Sequence, residues 1–324
     1  MNKDLEVSSI MVGTRGSALA LAQVEMAEDA LRTAFPGLAI ERKIIKTTGD
    51  RRTDIPLSEV ARAAEMDKGV FIKELEVALQ DGEIDIAVHS LKDMPSLLDE
   101  QFSVAAVLPR ASRKDVLITK EGGGLEGIRQ GGRVATSSVR RRRLLEVIRP
   151  DIEVVDIRGN VPTRIQKLRE SEELEGLLLA KAGLCRLGLL HDGVVDSGGD
   201  VLHVTELDEA VFVPAAGQGA VGLEIRSRDL NALTVCKEVN DSNTMRVVAA
   251  ERRFLSLLGA GCETPVGVAG TVAEDGKPEE IRLRAVVFED GENVPLRGEV
   301  LGSGDDPEGL AAKLLAAMKE PNST

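Results

Sequence analysis

The fold is decided by residues 133–180, which read RVATSSVRRRRLLEVIRPDIEVVDIRGNVPTRIQKLRESEELEGLLLA. Short apolar runs lie at 133–135, 152–157 and 177–180, and segments with helical spacing of apolar residues lie at 138–148 and 161–170. Apolar runs of this length favour buried strands, whereas apolar residues about three to four positions apart favour helices. Because strands that alternate with helices are typical of parallel sheets with right-handed crossovers, we predict a parallel α/β sheet here.

The N-terminal part of the chain has the same pattern. It predicts strands at 10–12, 39–46 and 84–89, a turn at 13–17, and helices at 18–34 and 70–80. The pattern restarts after Pro109-Arg110 with a strand at 116–119. We therefore expect two similar α/β lobes.

The C-terminal part differs, because its predicted strands follow one another without helices between them. A helix at 241–258 precedes strands at 266–272, 281–288 and 294–300, and a helix at 307–319 follows them. The predicted fold class is α/β, with two doubly wound lobes and a small C-terminal α+β domain.

Composition excludes several classes of protein. The chain has 324 residues, 43% hydrophobic and 29% charged, as in soluble globular proteins, and no apolar run is long enough to span a bilayer. Its three cysteines, Cys185, Cys236 and Cys262, are too few, and odd in number, for a disulfide framework. Residues 1–10 include acidic residues and lack the apolar core of a signal peptide. Together these features predict a cytoplasmic protein.

Charge is distributed unevenly along the chain. The net charge is −13, yet residues 129–169 hold 10 Arg and 1 Lys against four acidic residues, a net +7 that leaves −20 elsewhere. A basic segment in an acidic chain indicates a local anion site, with a solvated basic helix face as the alternative. Nucleic-acid binding is disfavoured, because the acidic remainder repels a long polyanion and the chain has no Trp or Tyr for base stacking.

Four loops follow predicted strands and carry cationic or hydroxyl side chains. They are Gly13-Thr14-Arg15-Gly16-Ser17, Ser90-Leu91-Lys92-Asp93, Thr136-Ser137-Ser138-Val139-Arg140-Arg141, and Arg158-Gly159-Asn160 with Arg164. In α/β sheets, ligands bind beyond the carboxyl ends of the strands, where helix N-termini offer free N–H groups to anions. We therefore expect these loops to form one cleft for a ligand with several carboxylates or phosphates. A capped helix with solvated arginines is the alternative for each loop alone.

Asp93 stands out among these residues, because a carboxylate opposes anion binding. The surrounding positive charge should keep it ionised, and its position makes sense if a cation forms in the cleft. An ion pair or a helix cap is the alternative reading of Asp93.

Three further features carry less information. The segment Gly217-Gln218-Gly219-Ala220-Val221-Gly222 has the spacing of a dinucleotide fingerprint, but no helix start follows it. No metal is expected, because the His and Cys residues lack ligand spacing. Cys262 lies on a glycine-flanked loop, whereas Cys185 and Cys236 lie in helical patterns that are typical of small buried side chains.

Ordered sequence blocks along most of the chain resemble one known family. They are Gly13-Thr14-Arg15-Gly16-Ser17-Ala18-Leu19-Ala20 with Gln23, Lys73-Glu74-Leu75-Glu76, Ala87-Val88-His89-Ser90-Leu91-Lys92-Asp93-Met94-Pro95, Arg113-Lys114-Asp115, Thr136-Ser137-Ser138-Val139-Arg140-Arg141, Arg158-Gly159-Asn160-Val161 with Arg164, Ala182-Gly183-Leu184-Cys185-Arg186-Leu187-Gly188, Pro214-Ala215-Ala216-Gly217-Gln218-Gly219-Ala220 and Gly261-Cys262. In these blocks the chain resembles the hydroxymethylbilane synthase family, also called the porphobilinogen deaminases.

The resemblance implies an architecture and an activity. Two lobes would resemble type 2 periplasmic binding proteins, with boundaries at 1–108 plus 209–237, 109–208, and 238–324 for the third domain. The family joins four porphobilinogen molecules head to tail, with release of ammonia, into the linear tetrapyrrole hydroxymethylbilane of haem-type biosynthesis. Growth takes place on one covalent dipyrromethane cofactor per chain. The implied partners are porphobilinogen and the growing polypyrrole chain, on a monomer that binds neither nucleic acid nor membrane.

The resemblance also implies roles for individual residues. Asp93 would be the catalytic residue, and Cys262 would carry the cofactor through a thioether. The implied cofactor-binding residues are Lys92, Thr136, Ser138, Arg140 and Arg141. The implied substrate-binding residues are Arg15, Ser17, Gln23, Arg158, Arg164, Arg186 and Gln218.

The chain departs from the family pattern at three places. Met66-Asp67-Lys68-Gly69 stands where the family usually has a Gly-Gly-Lys-Gly loop, Pro162 interrupts one block, and Arg142 and Arg143 extend the usual arginine pair. These departures leave the closing of that loop and the role of the extra arginines open. The alternative function is a non-catalytic anion-binding protein on the same two-lobed fold. It explains the basic loops, but neither Asp93 nor a cysteine in a third domain.

Overall fold

A computed structural model describes residues 7–47, 72–195, 201–260, 264–273, 280–289 and 291–319. The helices in these ranges are α1 (Ala18–Ala34), α2 (Lys73–Gln80), α3 (Val139–Ile148), α4 (Val161–Glu170), α5 (Lys181–Arg186), α6 (Leu230–Glu238), α7 (Ser242–Leu258) and α8 (Pro307–Lys319). The strands are β1 (Ser9–Arg15), β2 (Ala39–Ile45), β3 (Ile86–Ser90), β4 (Phe102–Val107), β5 (Asp115–Thr119), β6 (Arg133–Ala135), β7 (Glu153–Val155), β8 (Leu174–Ala180), β9 (Leu190–His191), β10 (Val194–Val195), β11 (Leu202–Glu206), β12 (Val221–Arg226), β13 (Val266–Val272), β14 (Glu280–Val287) and β15 (Leu296–Ser303).

The chain forms two compact units, each made of two segments. The first consists of Met1–Arg110 and Ala220–Met245, and the second of Ala111–Gly219 and Arg246–Thr324.

The first unit contains a five-stranded sheet in the order β2-β1-β3-β12-β4. β1 pairs in parallel with β2 and β3, whereas β12 runs antiparallel between β3 and β4. Successive residues of a strand face opposite sides of the sheet. Val12 accordingly joins the apolar core with Leu31 of α1 and Val235 of α6, and Met11 packs on the other side with Leu79 of α2. Helices therefore cover both faces, as expected for a doubly wound lobe.

The second unit contains a seven-stranded sheet in the order β7-β6-β8-β5-β11-β10-β9. β6 pairs in parallel with β7 and β8, and β5 pairs antiparallel with β8 and β11. Leu117 of β5 belongs to a core with Leu144 of α3, while Val116 belongs to the opposite core with Leu168 of α4 and Leu184 of α5. This sheet, too, has helices on both faces.

A small antiparallel sheet of β13, β14 and β15 completes the second unit. Phe254 of α7 and Leu314 of α8 pack with Leu283 on one side of it. On the other side, Val286 and Phe288 join the core that contains Leu117 of the seven-stranded sheet. The α+β segment therefore shares an apolar core with the second α/β lobe.

The structure confirms the α/β fold class and several element bounds. The helices predicted at 18–34, 161–170 and 307–319 and the strands predicted at 133–135 and 266–272 begin and end at these residues. Residues 70–71 of the predicted helix at 70–80 lie outside the described residues.

Two predictions about the fold are wrong. The sheets are mixed rather than parallel, because β12 returns from a distant part of the chain and pairs antiparallel with β3 and β4, and β5 pairs antiparallel with β8 and β11. The local sequence pattern also did not predict β4 or β9 to β12. The predicted turn at 13–17 begins too early, because Gly13, Thr14 and Arg15 continue β1. Gly13 serves close packing instead, since a Cβ there would lie 2.3 Å from Cδ1 of Ile84.

Candidate active site

In the first unit, β1 and β3 are neighbouring parallel strands, so their carboxyl ends lie at the same edge of the sheet. Arg15 is the half-buried last residue of β1. Ser17 caps α1, and its hydroxyl accepts a hydrogen bond from the Ala20 N–H at 3.3 Å. Gln23, which is buried in α1, hydrogen-bonds Ser90 at the end of β3 (Nε2 to Oγ, 2.7 Å). The structure thus brings Arg15, Ser17 and Gln23 to one sheet edge.

Lys92 and Asp93 lie just beyond the end of β3, in a 3₁₀ turn formed by Leu91–Asp93. Both side chains are exposed, whereas Leu91 is buried. The Leu91 N–H donates to the carbonyl of Ala220 at 3.1 Å, and the Met94 N–H donates to the carbonyl of Leu91 at 3.2 Å. The turn therefore presents an exposed carboxylate from a backbone that is hydrogen-bonded on both sides.

In the second unit, the carboxyl ends of β6, β7 and β8 share one sheet edge, because both neighbours of β6 run parallel to it. Thr136 follows β6, Arg158 follows β7, and Arg186 lies in α5, which follows β8. Ser138 caps α3, and its hydroxyl accepts a hydrogen bond from the Arg141 N–H at 3.4 Å. The predicted residues of this unit are therefore neighbours at one edge.

Arg140 and Arg141, in the first turn of α3, are buried and point to Asp115 at the start of β5. Arg140 Nη1 lies 2.7 Å from Asp115 Oδ2, and Arg141 Nη2 lies 2.8 Å from Asp115 Oδ1. Burial by itself would raise the pKa of Asp115, but the charges of Arg140 and Arg141 hold it well below its ordinary value. Asp115 is therefore a buried anion that fixes both guanidinium groups.

The N-terminus of α4 carries Arg158 and Arg164. Asn160 caps this helix, and its Oδ1 accepts the Thr163 N–H at 2.9 Å. Pro162 lies in the first turn, where no N–H is needed, so this departure from the family pattern leaves the helix intact. Arg164 Nε donates to the carbonyl of Gly159 at 2.7 Å, so its guanidinium is held at the loop.

The two additional arginines of α3 have partners within the second unit. Arg142 Nη1 donates to the carbonyl of Val154 at 2.5 Å, and the guanidinium of Arg143 lies 5.1 Å from the ring centre of Phe288. Both side chains are half-buried. Arg142 and Arg143 therefore stabilise packing around α3 rather than extend freely into solvent.

Arg186 and Gln218 connect the segment before β12 to other elements of the second unit. Arg186 Nη2 donates to the carbonyl of Gly219 at 2.7 Å, and burial lowers the pKa of Arg186. Gln218 is buried, and its Nε2 donates to the Arg113 carbonyl at 2.6 Å and to Asp115 Oδ1 at 2.9 Å. Gln218 thus belongs to the same buried cluster as the arginine pair.

Nε of Arg140 and Nε of Arg186 are buried donor atoms at this edge for which the described part of the chain offers no hydrogen-bond partner, although the other ends of both guanidinium groups are bonded. Buried donors are normally satisfied, and a carboxylate group of a ligand at this edge would satisfy both atoms.

The cysteines differ from expectation in one case. Cys236 is buried, and burial raises the pKa of its thiol to about 12. The prediction that Cys185 is a small buried side chain is wrong. The buried side of the short helix α5 is formed by Ala182, Gly183 and Leu184, and Cys185 lies on its exposed side. Cys262 lies outside the described residues, as does the loop Met66-Asp67-Lys68-Gly69.

Sequence reasoning gave no role to three buried acidic residues that hold the site segments. Asp115 binds the arginine pair, and Glu224 of β12 binds His89 of β3, with 2.8 Å between Oε2 and Nε2. Glu251 of α7 accepts the N–H groups of Gly217 at 2.7 Å and Gly270 at 2.8 Å. For Glu224 a sequence signal was available, because an acidic residue between Leu223 and Ile225 interrupts an apolar segment.

In the part of the chain that the structure describes, no group of three or more His, Cys, Asp or Glu side chains could hold a metal ion. None of the helices in that part is both long and apolar enough to cross a membrane.

The fold and the arrangement of the candidate site residues indicate a class of protein. In each unit, cations and hydroxyls lie at the carboxyl ends of α/β strands, and the first unit also presents the exposed carboxylate of Asp93; such sheet edges are features of a protein that binds a ligand with several carboxylates. Two family models then match almost the whole chain: "porphobilinogen deaminase, dipyromethane cofactor binding domain" at residues 10–234 and "porphobilinogen deaminase, C-terminal domain" at residues 245–320. The chain belongs to the porphobilinogen deaminase family.

Curated relatives agree with this assignment. The porphobilinogen deaminase of Roseiflexus sp. (strain RS-1) is 41% identical over 307 residues, which are 94% of this chain and 94% of that protein. The porphobilinogen deaminase of Rubrobacter xylanophilus is 41% identical over 311 residues, 96% of this chain and 94% of that one. Among solved structures, the methionine binding protein MetQ is similar to 76% of this chain and 95% of its own, with 13% identity and a TM-score of 0.42.

Proposed function

We propose that this chain is a hydroxymethylbilane synthase, which joins four porphobilinogen molecules head to tail with release of ammonia. The observation that carries the proposal is Asp93, an exposed carboxylate at the end of β3, at the sheet edge that also holds Arg15 and Ser17. Porphobilinogen carries an acetate and a propionate, so its binding requires cations. A protein that only bound anions would be weakened by a carboxylate at this edge, whereas this reaction makes use of one.

Asp93 acts on the charge that develops during the reaction. Loss of ammonia from porphobilinogen leaves a cationic methylene-pyrrolenine, and a fixed carboxylate nearby stabilises that cation. The same carboxylate accepts a hydrogen bond from a pyrrole N–H as the next unit is joined. The hydrogen bond from the Leu91 N–H to the Ala220 carbonyl anchors the backbone of the turn and so keeps Asp93 at this sheet edge.

The other site residues bind and orient carboxylates. Guanidinium groups form bidentate hydrogen bonds with carboxylates, and hydroxyls at helix N-termini add further donors. The residues assigned to substrate and growing chain are Arg15, Ser17, Gln23, Arg158, Arg164, Arg186 and Gln218. Gln23 and Gln218 are buried and act by holding Ser90 and Asp115.

The residues present fit the dipyrromethane cofactor that the matched family model names. When bound through a thioether to Cys262, this group supplies the covalent point from which the polypyrrole chain grows. Arg140 provides an unpaired buried Nε for one of its carboxylates. Lys92, Thr136, Ser138 and Arg141 complete the assigned cofactor-binding set, and Asp115 orients the arginines.

Turnover measurements test the proposed activity. The purified protein is incubated with porphobilinogen, and ammonia and the linear tetrapyrrole are quantified by an enzymatic assay and mass spectrometry. We expect both products, with four ammonia molecules released for each tetrapyrrole. Tight binding of porphobilinogen without release of ammonia would establish the non-catalytic alternative instead.

We also propose a monomeric protein of the cytoplasm with three domains, 1–108 plus 209–237, 109–208 and 238–324. One sheet for each domain supports this division, and β12 in the return segment joins the first sheet. The net charge of −13 supports solubility and disfavours binding to nucleic acid or to an anionic membrane.

A further inference from the structure

The strongest unassigned feature is a buried acid–imidazole pair behind the turn that carries Asp93. His89 Nε2 lies 2.8 Å from Glu224 Oε2, and the two side chains are 4% and 0% exposed. In the pairing of β3 with β12, Glu224 is opposite Ala87, two residues before His89. His89 and Glu224 are therefore diagonal neighbours on one face of the sheet and tie the end of β3 to β12.

Stability alone does not explain this pair. The same face is otherwise apolar, with Leu75, Leu79 and Phe102 in its core. Replacement of a buried ion pair by apolar side chains of similar volume is often neutral or stabilising, so such a pair is weak evidence for a role in stability. Oε1 of Glu224, moreover, has no hydrogen-bond partner in the part of the chain that the structure describes.

A second acidic group adds to the electrostatic cost of burying this pair. Burial raises the pKa of Glu76 on α2, and the charge of Glu224 raises it further, while the charge of His89 lowers it and that of Asp99 raises it. Glu76 therefore lies within electrostatic reach of the pair from the helix that covers this face. A cluster with this many titratable groups in an apolar layer indicates a requirement other than packing.

The connection from the pair to Asp93 is short and well defined. Ser90 follows His89 in the chain and is hydrogen-bonded to Gln23. The turn of Leu91–Asp93 begins at the next residue. Gly222 is opposite His89, and a Cβ there would lie 2.8 Å from Cδ1 of Leu91, so this glycine admits the Leu91 side chain. The pair thus fixes the last residues of β3 against β12 immediately before the turn begins.

We propose that His89 and Glu224 are positioning residues, which fix the end of β3 against β12 and thereby hold the Asp93 carboxylate where the reaction requires it. This inference rests on the proposed catalytic role of Asp93. Neither side chain contacts the substrate; both act through the backbone of residues 89–93. A small displacement of a reacting group lowers turnover strongly while substrate affinity is retained, because the carboxylate-binding residues remain in place.

The test compares Glu224→Leu, Glu224→Gln and His89→Gln with a matched control. Glu28→Gln is the control, because Glu28 of α1 is equally buried in the same unit and pairs with Arg42 at 2.6 Å, away from the turn. For Glu224→Leu we expect kcat to fall by about tenfold or more with KM within about twofold of wild type. Glu224→Gln retains an acceptor for the His89 N–H and should recover most of kcat. Glu28→Gln should leave kcat unchanged.

The double variant Glu224→Leu/Asp93→Asn distinguishes a positioning effect on Asp93 from a general loss of native structure. If Glu224 acts through Asp93, Glu224→Leu lowers the residual rate of Asp93→Asn little or not at all, because the two changes remove the same interaction. An equal fold loss in both backgrounds, or a wild-type kcat in Glu224→Leu, overturns the inference. If Glu224→Leu does not fold, His89→Gln decides: its kcat should fall with KM within about twofold of wild type, and a kcat equal to that of Glu28→Gln overturns the inference. Full activity in Asp93→Asn alone would refute the catalytic role instead, a distinct result.

Discussion

Asp115 and Arg140 form a fully buried ion pair, with 2.7 Å between Asp115 Oδ2 and Arg140 Nη1 and at most 5% of either side chain exposed. Arg140 Nη1 also donates to the carbonyl of Val213 at 2.8 Å. This one nitrogen of α3 is therefore hydrogen-bonded both to β5 and to the segment before β12. Arg141 and Gln218 bind the other carboxylate oxygen. A single aspartate therefore organises the arginine-rich N-terminus of α3.

Replacement of this aspartate should destabilise the protein strongly. Asp115→Asn leaves Arg140 and Arg141 buried without a counter-charge, and loss of one partner of a buried pair costs about 3–5 kcal/mol. Urea unfolding of the protein measures this free energy. Asp151→Asn is the control, because its partner Arg149 is much less buried and a far smaller effect is expected. Equal effects of the two substitutions would contradict the role of Asp115.

Stability should also depend on pH through the same residue. The pKa of Asp115 is depressed in the folded protein, so its contribution is present above the unfolded pKa, about 3.9, and is lost as pH falls towards the folded value. We expect the free energy of unfolding of the wild type to decrease below about pH 4. The decrease should be shallower in Asp115→Asn, as urea unfolding at several acidic pH values will show. Parallel curves would mean that other carboxylates cause the loss.

Much of the fold could be predicted from local patterns. The helices at 18–34 and 161–170 have caps at Ser17 and Asn160 and regular apolar spacing, so both ends are encoded in neighbouring residues. The antiparallel course of β12 could not be predicted in this way. Its partners β3 and β4 are more than 100 positions away in sequence, and pairing at that distance depends on tertiary packing.

Electrostatic attraction should make substrate binding sensitive to salt. Exposed and half-buried cations attract carboxylates less strongly at high ionic strength, so KM for porphobilinogen should rise with NaCl. Arg158→Ala should raise KM and reduce that dependence. Arg129→Ala is the matched control, since Arg129 belongs to the same basic segment but is exposed and paired with Glu175. A KM that does not respond to salt in the wild type would refute an electrostatic substrate site.

Removal of the negative charge of Asp93 should show whether this residue acts in the chemical step. Asp93→Asn keeps the size of the side chain on the exposed turn and removes its negative charge, so kcat should fall by about 10²–10³-fold. Stability should change little, because the side chain is exposed. Asp81→Asn, at the exposed end of α2, is the control and should retain wild-type kcat. Near-normal turnover by Asp93→Asn would show that Asp93 has no catalytic role.

The sequence could predict those residues of the candidate site that lie at helix N-termini and strand ends. Ser138 and Arg158 follow strands in sequence, and the parallel pairing of β6 with β7 brings those ends together. The inward orientation of Arg140 and Arg141 could not be predicted, because an arginine-rich helix start also fits a solvated surface. Only the tertiary position of Asp115, 25 and 26 residues earlier in the chain, decides between these environments.

The covalent attachment of the cofactor gives the most direct prediction. A thioether survives denaturation, so the denatured wild type should exceed its sequence mass by a two-pyrrole group, and peptide mapping should place that group on Cys262. Cys262→Ser should be unmodified and inactive. Cys236→Ser should stay modified, because the Cys236 thiol is buried with its pKa raised to about 12. Cys185→Ser is the more demanding control, since Cys185 is exposed and accessible to reactive pyrroles. Its variant should also stay modified and active, and loss of the added mass in Cys185→Ser would place the cofactor on α5 instead.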